Sequence, residues 1–145
     1  MKEKENIHFY NEDVKYQLVS ARKIRSWLSS AIEEEKKTAG EISCIFCSED
    51  YLLKLNSKYL NASYLTDVIT FDYTENDVIS GDIFISIDRV KENAKLYKQP
   101  CPQELRRVML HGILHLCGYK DKTEEETQQM REKEDYYLQK FDAIN

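Results

Sequence analysis

An apolar helix interrupted by two histidines constrains this chain more than any other feature. Leu105, Val108, Met109, Leu110, Ile113 and Leu114 make the apolar run, Pro102 suits the first helical position, and Gly118 suits a stop just after Cys117. Inside it stand His111 and His115, two of the three histidines of the chain. Residues four apart on a helix differ by roughly 40° and roughly 6 Å along the axis, so both imidazoles leave the same face.

The other segments read as a sheet with helices around it. A short strand is expected at about Ile7 to Tyr10, and a helix from about Val19 to Lys37, where Ile24, Trp27, Leu28, Ala31 and Ile32 keep helical spacing and Gly40 is available beyond the end. Glu41 to Cys47 alternates like a strand. Ser48 offers an N-cap, followed by Glu49 and Asp50, for a helix reaching about Leu60. Val68 to Tyr73 and Val78 to Ile87 read as a hairpin around Thr74-Glu75-Asn76-Asp77. A helix follows through Val90, Ala94 and Tyr97, and Thr123 with Glu126 gives a capping-box signature for a last helix carrying Met130 and Tyr137. The order βαβαββααα predicts the α+β class: one domain over residues 1–145, with a mixed four-stranded sheet and about five helices.

Composition narrows the function classes. At 145 residues, with 41% hydrophobic and 32% charged residues, the chain suits one soluble core. No apolar run is long enough to cross a bilayer, and Met-Lys-Glu-Lys-Glu-Asn lacks the apolar centre of a signal peptide, so a cytoplasmic protein is expected. Cys44, Cys47, Cys101 and Cys117 are then thiols. Cys44-x-x-Cys47 lies on a strand, where positions three apart face opposite ways, and has no second pair, so both belong to the core. The net charge of −5 gives no overall attraction to nucleic acid, although Arg22-Lys23-Ile24-Arg25 and Arg106-Arg107 are local basic clusters. Tyr51, Tyr59 and Tyr97 sit at core-like helical positions, and His8 reads as structural.

Chemistry concentrates after Leu110. If Gly118 turns the chain back, Asp121 returns toward the two histidines, and two imidazoles plus one carboxylate hold a divalent ion with positions left for water and substrate. The same residues also admit a plainer reading, two satisfied surface histidines and a polar turn residue, with Glu124 or Glu125 as other possible ligands. Gly112 stands where zinc peptidases of the His-Glu-x-x-His type carry their general base, so that chemistry is disfavoured. A small residue there also permits close approach of another backbone or a substrate.

His111-Gly112-x-Leu114-His115-Leu116-x-Gly118-Tyr119 resembles the signature of the YbeY family of bacterial rRNA-maturation metalloendoribonucleases. Asn56-x-x-Tyr59, Thr66-Asp67-Val68-Ile69-Thr70-Phe71 and Gly81-Asp82-Ile83 resemble further blocks of that family, so the likeness spans most of the chain. It implies a zincin-like metal helix and a hydrolase that cuts single-stranded RNA at the 3′ end of small-subunit rRNA. Ribosomal proteins would be its partners, with no DNA and no membrane. His111, His115 and Asp121 would hold one divalent ion, Zn2+ or else Mn2+, Fe2+ or Ni2+. The catalytic cleft would be formed by His115 with Thr66 and Asp67. Two departures from the pattern bear on the site: Lys120-Asp121 stand where the family has an aspartate and then a histidine, and Leu60 replaces an arginine implicated in catalysis, for which Lys58, Arg106 or Arg107 are candidate substitutes. The other readings are a non-catalytic, metal-stabilised ribosome-assembly factor and a metallohydrolase with a non-RNA substrate.

Overall fold

Period-two stretches become strands and period-3.6 stretches helices, in the order the sequence predicts. The computed structural model describes residues 6–59 and 66–144, so Leu60 lies outside the described residues. The elements are β1 (Ile7–Asn11), α1 (Ala21–Glu34), β2 (Thr38–Cys47), α2 (Glu49–Tyr59), β3 (Val68–Asp72), β4 (Val78–Ser86), α3 (Ile87–Leu96), α4 (Cys101–Leu116) and α5 (Glu124–Ala143). The sheet runs β1-β2-β4-β3. β1 with β2 and β2 with β4 are parallel, while β3 joins β4 antiparallel through the expected hairpin, where Asn76 takes φ 56°. Among the described residues, no helix is long and apolar enough to cross a membrane.

Each face of the sheet has its own cover. Ile42, Cys44, Phe46, Ile79, Ile83 and Ile85 point into the larger core, which they share with Trp27 and Leu28 of α1, the apolar stripe of α4, and Met130, Tyr137 and Phe141 of α5. The opposite face is smaller: Cys47 and Ile69 pack with Leu52 of α2, and Phe71 and Phe84 lean against them. Trp27 is buried and donates its Nε1–H to Tyr137 O at 2.7 Å, locking α1 to α5.

Gly112 decides how closely α4 approaches the sheet. A Cβ there would lie 2.8 Å from Ile83 Cγ2 and 2.9 Å from Ile83 Cδ1. The close approach read from the sequence is therefore made by a strand side chain, and it lets the turns bearing both histidines lie flat on β4.

Three local expectations need correction. α1 ends at Glu34, before Lys37, because Lys36 takes φ 64° and the Lys37 N–H returns to Ile32 O at 3.1 Å. Gly40 is not the cap of that helix but part of β2, where a Cβ would clash with Ser80 Oγ. α4 begins one residue early, at Cys101, with Pro102 in its first turn. The Gln103 and Glu104 N–H groups both donate to Pro100 O, and no side chain caps the helix.

Glu35 ties three elements together. Its carboxylate accepts from Tyr119 Oη at 2.6 Å and Lys133 Nζ at 3.1 Å, and also from the Tyr137 hydroxyl. Burial pushes the carboxyl up, but these donors outweigh burial and hold its pKa below the usual glutamate value.

Two predictions follow from these contacts. Gly112→Ala should lower stability by about 1–3 kcal/mol in urea unfolding, because overpacking outweighs the gain in helix propensity; adding Ile83→Val should recover part of the loss. Because the folded pKa of Glu35 is depressed, its contribution is complete above the unfolded-state value and disappears as pH falls through the folded one. Glu35→Gln should cost about 1.5–3 kcal/mol at neutral pH and flatten the acid limb of a stability-against-pH curve.

Candidate metal centre

The last turns of α4 carry His111 and His115 on one face, with ring centroids 4.9 Å apart and planes at 77°. Gly118 then takes φ 110°, its N–H meets His115 O at 3.0 Å, and the Tyr119 N–H meets Leu114 O at 3.0 Å. That backbone conformation is one glycine adopts without strain, and it reverses the chain. Asp121 arrives with Oδ2 3.1 Å from His111 Nε2 and 3.5 Å from His115 Nε2. Its loop is held by Tyr119 on Glu35 and by Thr127 Oγ1, which donates to Asp121 O at 3.1 Å. The capping box of Thr123 and Glu126 then starts α5, with Glu124, Glu125 and Glu126 as its acidic first turn.

Three donors therefore meet at one point. One ligand-type atom from each of His111, His115 and Asp121 can be chosen so that all lie within 4.8 Å of one another, the one such group among the described residues. Two ligand atoms each about 2.1 Å from a tetrahedral ion stand about 3.4 Å apart, and the two imidazole–carboxylate spacings of 3.1 and 3.5 Å bracket that value. The donor types and spacing fit a divalent ion. Glu124 and Glu125 are not part of this group.

Glu134 was not singled out by the sequence reading. This α5 residue is 5% exposed and sits in the stripe of Met130, Tyr137 and Phe141. His111 Nδ1 donates to Glu134 Oε2 at 2.7 Å, and Arg107 Nη1 donates to Glu134 Oε1 at 2.8 Å. The available signal was an acid at a position where the α5 spacing calls for an apolar residue. Burial pulls the His111 pKa down, but Glu134, Asp121 and Asp67 together carry it above the usual histidine value.

Thr66 and Asp67 stand where β3 begins, and both line a cavity of about 450 Å³ with His111, His115 and Asp121. Neither side chain is within hydrogen-bond reach of the three donors: Thr66 Oγ1 donates to Val68 O at 3.3 Å, and Asp67 Oδ2 accepts from Asn93 Nδ2 at 3.3 Å. Burial raises the Asp67 pKa, and the nearby His111 only partly offsets this. A second cavity, of about 210 Å³, opens on the other side of His111 and Asp121, between α3, α4 and α5, and Arg131 reaches it.

The basic residues considered as substitutes at the cleft have other positions. Arg106 lies over the Phe141 ring at 4.2 Å and Lys58 over the Tyr59 ring at 5.2 Å. Arg107 forks between Glu134 and Asp135, the latter at 2.7 Å. Arg131 makes no ion pair among the described residues and lines a cavity that His111 and Asp121 also line.

Other candidates fall to structural roles. Cys44 and Cys47 are fully buried, and burial pushes both thiols up to about 12. His8 pairs with Glu41 at 2.9 Å. Tyr51 packs on Phe84, as expected, but Tyr59 and Tyr97 are 57% and 54% exposed and are not core residues. Tyr97 caps α3, and Tyr59 stands edge-on to Phe71.

Comparison with known proteins places this arrangement. The family model described as Endoribonuclease YbeY matches residues 6–142. A Cytophaga hutchinsonii protein named Endoribonuclease YbeY is 52% identical over 139 residues, covering 95% of this chain and 96% of its own. A Flavobacterium psychrophilum protein of the same name is 49% identical over 132 residues, covering 91% and 94%. A solution structure from Thermotoga maritima superposes with a TM-score of 0.68 at 29% identity, over 93% of this chain and 88% of that one. With the family pattern matched from the first strand into the last helix, this chain belongs to the YbeY endoribonuclease family.

Proposed function

We propose that this protein is a single-strand-specific, metal-dependent endoribonuclease of the cytoplasm. Its role would be maturation of the 3′ end of small-subunit rRNA, with ribosomal proteins as partners. The observation that carries this reading is the meeting of His111, His115 and Asp121 in a cleft beside β3, in a chain whose relatives are named endoribonucleases.

His111, His115 and Asp121 hold one divalent ion, with Zn2+ the first candidate and Mn2+, Fe2+ and Ni2+ the others. Such an ion, when bound, supplies Lewis acidity toward a phosphoryl oxygen and toward water. Asp121 brings a negative charge to the donor set, which tempers that acidity and suits harder ions better than a third imidazole would. The cavity along β3 receives the RNA strand, with Thr66 and Asp67 shaping its wall. Burial raises the Asp67 pKa above the usual aspartate value. Arg131, at the adjoining cavity, offers a guanidinium to a flanking phosphate.

The test pairs metal content with RNA cleavage. Purified protein should cut a single-stranded oligoribonucleotide and spare the matching duplex. A chelator should stop cleavage, and added Zn2+ or Mn2+ should restore it. His115→Ala should lose both metal and cleavage while its circular dichroism stays that of the parent. Bound metal without chelator-sensitive cleavage would instead identify an assembly factor, and unchanged metal content in His115→Ala would overturn the ligand set.

A further inference from the structure

We propose that Glu134 is the positioning residue for His111: its carboxylate takes the Nδ1–H and so directs the Nε2 lone pair to the point that His115 and Asp121 also face. This rests on the metal reading above.

A neutral imidazole has one N–H and one lone pair, and only the lone pair can bind a metal. Which nitrogen carries it is set by the hydrogen bond that the other one makes. For His111 that bond is in place, 2.7 Å from Nδ1 to Glu134 Oε2. His115 has no comparable partner among the described residues: its side-chain neighbours are Asp121 and the His111 ring.

Glu134 is itself held. It is 5% exposed, and a buried carboxylate is tolerable only when paired. Arg107 supplies the pairing, with Nη1 2.8 Å from Glu134 Oε1 and Nη2 2.7 Å from Asp135 Oδ1. One Glu134 oxygen serves Arg107 and the other serves His111. Pairing with the arginine accounts for the first oxygen alone, so the second is left for orienting the imidazole.

The division of oxygens makes glutamine diagnostic. In Glu134→Gln the one remaining oxygen is drawn to Arg107, which can only donate, so the amide NH2 faces His111. Nδ1 must then supply the lone pair, and the proton moves to Nε2, the nitrogen that should bind the ion. Alanine leaves His111 free to choose either tautomer. Glu134→Gln should therefore harm metal binding at least as much as Glu134→Ala, although glutamine fills the site better. A residue that merely filled space or paired with Arg107 would rank them the other way.

The experiment measures Zn2+ affinity of the full chain by competition with a chromophoric chelator, beside the absorption spectrum of the Co2+ form and thermal melting without metal. Glu134→Gln should melt closer to the parent than Glu134→Ala does. It should bind Zn2+ about 10–100-fold more weakly than the parent and alter the Co2+ spectrum. Parent-like Zn2+ affinity in Glu134→Gln, or a larger loss in Glu134→Ala, would overturn the positioning role while His115→Ala, run alongside, still loses the ion. If His115→Ala also binds like the parent, the metal reading fails and this proposal falls with it.

Discussion

The flat contact between α4 and β4 is the constraint on which the site depends. With Gly112 against Ile83, the helix lies low enough on the sheet for its buried face to join the main core. Its other side carries both imidazoles to the mouth of the cleft beside β3. A bulkier residue between the histidines would lift that side of the helix, and two rings four residues apart would no longer face a loop returning only three residues after Gly118.

Placing a carboxylate against those rings is a second problem, and the fold solves it from outside the helix. Gly118 lets the chain reverse, but a reversed loop is not a located one. Location comes from Tyr119 on Glu35, from Thr127 on the Asp121 carbonyl, and from the capping box that fixes where α5 starts. The glutamate is the C-cap of α1, so the end of the first helix helps to place a residue that follows the whole sheet in sequence. Charged groups at this hub are partly shielded and matched by three donors, which is why burial does not neutralise the carboxylate.

Much of this was legible in the sequence because it follows from periodicity. Helical spacing located α1 and α4, alternation located β2 and β4, and the His111–His115 spacing with Gly118 foretold the convergence of Asp121. What escaped depends on contacts between distant segments. Lys36 ends α1 through its own left-handed conformation, which its residue type does not announce, and Gly40 answers to Ser80 across the sheet rather than to its own helix. Tyr59 and Tyr97 have core-like spacing yet stay more than half exposed, since Phe71 meets only an edge of the Tyr59 ring and Tyr97 lies just past the end of α3. Glu134 is one of many acids along α5; only the packing of α5 on α4 turns it toward His111 and Arg107.

The sheet is complete by Ser86, whereas His111, His115, Asp121 and Glu134 all lie beyond it, the last of them on α5. A protein made from its N-terminus onward therefore has every strand synthesised before any of these four side chains, while the core that the strands share with α4 and α5 still waits for both helices. A nascent chain still lacking α5 has both imidazoles but neither the clamp on His111 nor Lys133 and Tyr137 on the Glu35 hub. With these side chains spread over α4, the loop after it and α5, the cluster can be complete only once the last helix has been made.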